Sequence, residues 1–498
     1  MKKLLSITAL GFLLAALVLA VAPAWAQNAD SRIKALEDEL VRLKGEQMEL
    51  KKEAVAAAAA MPTFTYRPGR GLTMEAADKA WAFRVRQEFN VDMNFQEGQD
   101  ARRMGKGDLF GRRNRPFFHY ISNGGFYEHE LAIDCDGPGG TGEKCGEIQR
   151  AAFYVHFETM NPWFPKWQIG LDVPAAINTY DQGSTTTAAT LEYPLVRRSN
   201  GVNTGSHTGM GWVWEDLRAP GGLFPGTWNF HYYLVLNGMG SSDGAQFNPQ
   251  SDHVDHVLYF NVNPFSQSKD KWLNGIGASV SAFFGNPDER NTNNSNRRLR
   301  LESAVGRNRV TLFDTGTVLD RGLHTYITPG VKYQVGPYKL LAAAGFDSWN
   351  SAHRGTAGAK LGRPGQVGRI EGTYWKLINE LFVWSPKGPL TGSTSTPNSL
   401  LMAWSFERDD ASCGRPNCDA TVTATGAQFA RNRVLLRELD FRYFFQSNVS
   451  LLLGWQWYDA SNVPTSQQVA IGCSKNNALR AGKSCDWSDV TLRLAYYF

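Results

Sequence analysis

Arg84, Arg86 and Glu88 fall two residues apart, and the same spacing joins Arg298, Arg300 and Glu302. Arg113 and Arg115 repeat it, and Lys376 and Glu380 stand four apart. In an extended strand, side chains at even separation share one face, so each set presents its charges on a single surface. Guanidinium rows that face a water-filled space lower the barrier for anions, and neighbouring acids moderate that preference while fixing the guanidinium groups by paired hydrogen bonds. A second role stays open for all ten residues: such charges also brace a wall or hold an inward-folded loop.

Other chemistry is thinly supplied. Asp252-His253-Val254-Asp255-His256 is a compact cluster of potential metal ligands, but it sits where a loop meets a strand and reads as a solvated loop end before it reads as a metal site. No Gly-x-Ser-x-Gly, His-Glu-x-x-His or Cys-x-x-Cys-His occurs, and the Gly137 to Gly142 stretch lacks the Lys and the helix of a phosphate cradle. The sequence therefore implies no enzyme, no metal and no cofactor. The six cysteines fall into close pairs, Cys135 with Cys145, Cys413 with Cys418 and Cys473 with Cys485, all in Gly/Asn/Asp-rich loop sequence. In an exported chain such pairs read as local loop disulfides, with metal binding as the alternative.

Export is indicated at the start. Met1-Lys2-Lys3, an apolar run from Leu4 to Val21 and Ala24-Trp25-Ala26 make a secretory signal peptide over residues 1–26. No later stretch has the 18 or more apolar residues that a spanning helix needs. The formal net charge is +5, or +3 without Lys2 and Lys3, which is too weak to imply nucleic acid as a partner. Residues 27–60 carry a heptad in which Ile33, Leu36, Leu40, Leu43, Gln47 and Leu50 alternate as a and d, with Glu39 and Glu46 at g and Lys44 and Lys51 at e. A short helix of this kind is marginal alone, so a parallel coiled coil in the periplasm is expected, with a lone solvated helix as the alternative. The Ala54 to Ala60 run and Pro62 make a linker.

From Trp81 the period changes to two. Trp81, Phe83, Val85, Phe89, Val91, Met93 and Phe95 alternate with Ala82, Arg84, Arg86, Glu88, Asn90, Asp92 and Asn94. Strand patterning recurs at Tyr127 to Ile133, Ile148 to Phe157, Asn229 to Leu236, Val254 to Val262, Thr373 to Trp384, Val434 to Phe445 and Val449 to Trp457. A long, Gly-rich and aromatic-rich chain with mean hydropathy of −0.35 fits a membrane barrel, whose strands each meet water on one face. The last segment, Asp489 to Phe498, alternates cleanly with Val490, Leu492, Leu494, Tyr496 and Phe498 on one face. Leu494, Tyr496 and the terminal Phe498 have the form of the signal by which outer-membrane assembly machinery recognises a client.

Connections support the same reading. With both ends of the barrel in the periplasm, Ser122 to Gly125 and Gln446-Ser447-Asn448 fall on the inner side, and Gln96 to Gly111, Cys135 to Gly146, Asp409 to Asn432 and Ala460 to Asp486 fall outside. All three cysteine pairs then lie outside. The expected fold is an all-β transmembrane antiparallel barrel over residues 61–498 with 16 strands. A count of 18 follows if Arg297 to Val305 and Arg309 to Asp314 form a further hairpin.

Arg112-Arg113-Asn114-Arg115 before an aromatic strand, Asn123-Gly124-Gly125 and a strand ending Ala132-Ile133-Asp134 resemble blocks of the phosphate-selective porin O and P family. Ile169-Gly170-Leu171-Asp172-Val173-Pro174, Thr190-Leu191-Glu192-Tyr193 and Tyr232 to Gly238 are similar to its later blocks. The resemblance runs from about Pro68 to Phe498 and implies a 16-stranded homotrimeric porin whose inward Arg and Lys guide small anions, although no dense lysine cluster aligns. Two functions follow as expectations: a porin in outer-membrane lipid for small hydrophilic solutes with weak anion preference, or a plugged barrel acting as a surface binding or structural protein. A third, an electron conduit, needs a haem partner that this chain does not supply.

Overall fold

The computed structural model describes residues 29–68, 70–97, 108–134, 147–172, 207–218, 226–235, 254–285, 300–302, 311–314, 318–320, 323–354, 368–394, 396–413, 431–461 and 484–497. The expected signal peptide, Phe498, Arg298, Cys135, Cys145, Cys418 and Cys473 lie outside the described residues, as do the side chains of Arg113, Arg300, Glu302, Cys413 and Cys485. The chain divides into two units, one of which holds the N-terminal helix.

Helix α1 spans Ala29–Ala60, and its Ala, Leu, Glu and Lys content with no proline before Pro62 accounts for its length. Leu36, Leu40, Leu43 and Leu50 stand exposed along it, an apolar stripe that the single chain does not cover. Arg42 bonds Glu39 and Glu46, and Lys52 bonds Glu49, at the three- and four-residue spacings that support an exposed helix.

The second unit is a closed antiparallel ladder. Its strands are β1 Trp81–Glu97, β2 Asp108–Ser122, β3 Tyr127–Asp134, β4 Glu147–His156 and β5 Lys166–Asp172. Next come β6 His207–Arg218, β7 Thr227–Val235, β8 Asp255–Asn263, β9 Gly277–Gly285 and β10 His324–Val335. The last are β11 Tyr338–Arg354, β12 Gly368–Ser385, β13 Ser399–Cys413, β14 Arg431–Gln446, β15 Val449–Ser461 and β16 Ser484–Tyr497. Each pairs with the next, and β16 returns to β1 in the register Tyr496↔Phe89 through Ser488↔Glu97. Closure leaves no free edge, so the backbone polar groups of the wall are satisfied within it. Sixteen strands form the barrel. Arg300–Glu302 and Thr311–Asp314 do pair, but as a separate two-stranded ribbon, which removes the count of 18.

One end of the barrel has short connections, such as 123–126, 336–337 and 447–448, and the other has long ones, such as 173–206 and 462–483. The tight turn after β2 puts Asn123, Gly124 and Gly125 at positive φ of 52°, 64° and 99°, which explains the Asn-Gly-Gly sequence. At the short-turn end β1 runs on below β16, and the hairpin Thr63–Arg67/Gly71–Glu75 continues the ladder there, with Leu72 opposite Val85 and Glu75 opposite Ala82. Gly71 is required at that join: its φ is 80°, and a Cβ would sit 2.0 Å from the Val85 carbonyl oxygen.

Strands also run past the point where apolar alternation stops. β13 continues to Cys413 and β16 starts at Ser484, so Cys413 and Cys485 stand at strand ends and not in loops. Outward positions there are polar, including Arg408, Asp410, Asp459 and Asp486, because ladder hydrogen bonds continue above the apolar band although the membrane-type pattern does not.

Outward positions along the middle of the wall are apolar, with exposed Phe346, Val331, Leu453 and Leu494 among them. An apolar cluster lies on the inner side, where Val235, Val257, Phe283, Tyr326 and Tyr374 pack together across β7 to β12. Two rings there lie flat on the wall over glycines: a Cβ on Gly345 would meet the Tyr374 ring at 1.9 Å, and one on Gly211 the Tyr233 ring at 2.3 Å.

Candidate functional site

The inner wall is the candidate site, and strand parity decides which side chains reach it. On β1 the buried Glu88, Asn90, Asp92 and Asn94 mark the inward parity, which Arg84 and Arg86 share. The register places Arg115 opposite Glu88, on the inward side of β2, and sets the backbone of Arg113 opposite Asn90. Lys376 and Glu380 share the inward parity of β12 with buried Tyr374 and Ile378. Arg300 and Glu302 belong instead to the separate ribbon. Leu494 and Tyr496 take the outward parity of β16, opposite to buried Arg493 and Ala495.

Around β12 to β16 and on to β1 the inward charges are sealed and paired. Arg493 donates two hydrogen bonds of 2.7 Å to the two carboxylate oxygens of Asp92, and both side chains are 0 % exposed. Lys376 Nζ lies 3.4 Å from Glu407, again fully buried. Glu438 accepts from Ser405 Oγ at 3.1 Å and from Gln456 Nε2 at 2.8 Å, and Tyr458 donates to Gln456 at 2.8 Å. Arg442 donates to Ser450 at 3.0 Å and lies over the Phe444 ring. Charges removed from water persist only when paired in this way, so this arc braces the wall. Lys376 and Glu380 belong to it: Glu380 accepts from Lys339 at 3.0 Å.

The arc from β1 to β7, at the short-turn end, is more open. Glu130 accepts from Arg86 and Arg150 at 3.1 Å each, and Arg86 also reaches the Tyr497 hydroxyl across the barrel seam and stacks on Phe117 at 4.2 Å. Glu128 contacts both His119 Nδ1 and His156 Nε2 at 3.2 Å, and the other His156 nitrogen lies 2.6 Å from Glu158. Lys166 donates to Glu215 at 3.2 Å, and Arg84 donates to Thr73 Oγ1 of the added hairpin at 3.4 Å. Cations and acids therefore alternate around half the circumference. A wall of this kind supports ion passage with a weak net preference, and among the described residues it presents no single-sign ring.

Of the Asp252 to His256 cluster, Asp252 and His253 lie outside the described residues. Asp255 is buried on the inward side of β8, while His256 faces outward and bonds the Tyr232 hydroxyl at 2.8 Å. Among the described residues no group of three His, Cys, Asp or Glu side chains is arranged to hold a metal.

Sequence reasoning missed the sealed network and the His119–Glu128–His156 cluster. Asp92 and Asn94 were visible as the polar half of an alternation, and so was Arg493 in the closing strand. Their partnership was not, since Asp92 and Arg493 lie 401 residues apart.

No protein-family model matches the chain, and no curated protein matches it. Among solved structures, an anion-selective porin from Comamonas acidovorans is similar at 11 % identity and a TM-score of 0.47, covering 84 % of this chain and 100 % of that one. OmpT, an outer membrane protein of Vibrio cholerae, is similar at 9 % identity and a TM-score of 0.47, covering 84 % and 98 %. The outer membrane channel DcaP of Acinetobacter baumannii follows at 11 % and 0.45, covering 84 % and 98 %. At these values the sixteen-strand closure rests on its own register and not on the likeness.

Proposed function

We propose that this chain is an outer-membrane porin: a channel through which small hydrophilic solutes diffuse passively, with a weak preference for anions. One observation carries the reading. The closed sixteen-strand ladder is apolar on its outward parity at mid-height and largely polar on its inward parity, so the outside needs hydrocarbon and the inside needs water or polar chain. Barrels of this strand number are wide enough to leave an aqueous channel. The anion preference is assigned to the arginine rows and is weak because, in the mixed arc, Arg84, Arg86, Arg115, Arg150 and Lys166 stand among as many acids, Glu88, Glu128, Glu130, Glu158 and Glu215. The Arg112 to Arg115 block keeps its resemblance to the phosphate-selective porins as a reason to test phosphate among the anions.

The short-turn end and α1 face the periplasm in this reading, and the exposed heptad leucines of α1 join copies into a homotrimer. Leu494, Tyr496 and Phe498 serve recognition by the assembly machinery. Cys413 and Cys485 open the long connections in which their sequence neighbours Cys418 and Cys473 lie, so local disulfides are expected at that end, with Cys135–Cys145 as the third. Peptide mapping of the oxidised protein checks all three pairs.

Reversal potentials in a salt gradient across a planar bilayer test the selectivity. The unaltered chain should favour anions weakly, and replacing Arg113 and Arg115 by Gln should shift the ratio toward cations. An unchanged ratio removes these two arginines from the mechanism. The sealed arc favours a second reading, a plugged barrel, since inward Asp92, Glu407, Gln456 and Arg493 are 0 % exposed. A folded trimer that stays shut while binding a partner through its long loops would favour it.

A further inference from the structure

The cations and carboxylates of the mixed arc are equal in number, so their formal charges cancel. Glu130 holds Arg86 and Arg150, Glu215 holds Lys166, and Arg115 stands opposite Glu88. A wall balanced in this way leaves its sign to whichever further groups can change charge.

Two histidines sit inside that balance. His156 closes β4 at the short-turn end, with Nε2 3.2 Å from Glu128 and Nδ1 2.6 Å from Glu158. His119 on β2 sets Nδ1 3.2 Å from the other oxygen of Glu128 and Nε2 3.6 Å from Glu130. Carboxylate and imidazole therefore alternate in one row, from Glu158 through His156, Glu128 and His119 to Glu130. A neutral imidazole donates from one nitrogen only, so both contacts of His156 are hydrogen bonds only when the ring is charged. On His119 a proton at each nitrogen likewise faces a carboxylate.

The neighbouring cations are turned to other partners. Arg84 stands opposite His119 and donates to Thr73, and Lys166 stands opposite His156 and donates to Glu215. His231 on β7 is a further inward ring, 3.8 Å from Glu215 and 5.0 Å from the Tyr259 ring, and lies outside the row.

Histidine is the side chain whose ordinary pKa, about 6.5, puts its change of charge between roughly pH 5.5 and 8. Each proton taken up adds a positive charge within a Debye length, ~10 Å, of an ion passing the wall.

We infer that His119 and His156 tip the ion preference of the channel. With both rings charged the short-turn mouth is net positive and favours anions, and with both neutral the preference fades. The inference rests on the porin reading above and names the groups that regulate it.

Reversal potentials of the full chain in a planar bilayer, read in a salt gradient at about pH 8 and about pH 5.5, test it. A range ending there keeps clear of ordinary carboxylate titration near ~4.3. Anion-to-cation permeability should rise about two- to fivefold as the pH falls, the scale of two unit charges acting through water at roughly 8 Å with partial screening. His119→Gln together with His156→Gln should remove the rise, each change alone should remove part of it, and His231→Gln should leave it in place. The single changes carry the test if the double one does not insert. A ratio that does not move with pH in the unaltered chain overturns the inference, as does a rise that survives both changes or is lost with His231→Gln alone. A folded, inserted chain that gives no current at either pH overturns the porin reading, and this inference with it.

Discussion

Asp92 and Arg493 show what a fully buried charge pair asks of the chain. Both side chains have left water, and the two hydrogen bonds of 2.7 Å stand in for the hydration they lose. Removing one partner leaves an uncompensated buried charge, so Asp92→Ala should lower the unfolding free energy by about 3–5 kcal/mol. Urea unfolding in lipid vesicles, followed by tryptophan fluorescence, measures it. Replacing both residues by Leu should recover most of the loss, because a well-packed apolar pair often equals a buried ion pair. Lys376 belongs to the same class, although its spacing in the sequence marks it equally as a channel-lining cation. Its pairing with Glu407 predicts that Lys376→Gln lowers stability in the same assay and leaves the reversal potential unchanged. A shifted reversal potential would return Lys376 to the conduction path. Period two made the inward face of such strands legible, whereas the choice between bracing and guiding depends on cross-strand partners that only closure brings together.

Strands were legible to the degree that their two faces differ. β1, β14 and β16 alternate apolar against charged or polar residues, β15 alternates against uncharged Ser450, Gly454 and Gln456, and all four stood out. β9 and β11 did not, because their inward side carries Phe283, Leu341 and Ala343, so both faces read as apolar and the alternation vanishes. The added hairpin Thr63–Glu75 escaped as well, being too short to show a period. Glycine chemistry now explains both regions. Gly71→Val would set a Cβ against the Val85 carbonyl at positive φ, and it should release the hairpin, seen as faster amide exchange over 63–75 with the sixteen strands retained. Gly345→Val would drive Tyr374 off the inner wall, an overpacking expected to cost ~1–3 kcal/mol in the urea assay. An unchanged midpoint would show that the ring is free to move aside.

At the scale of the whole molecule, the closed ladder converts local alternation into two environments. The outward parity meets hydrocarbon, and the inward parity holds one braced arc and one more exposed, mixed-charge arc near the short-turn end. The braced arc stiffens the wall, and the mixed arc is where solutes meet charge of both signs. Length, strand periodicity and the short and long connections anticipated the sixteen-strand barrel before any contact was known. The added ribbon at Arg300–Glu302 and Thr311–Asp314 was misread as possible wall because pairing alone does not say to which sheet a hairpin belongs. The most direct measurement of the central claim is single-channel recording of the purified, folded chain in a planar lipid bilayer. Passive conduction predicts discrete steps of current that grow in proportion to voltage and to salt concentration. A barrel that is demonstrably folded and inserted yet gives no steps over that range would contradict it.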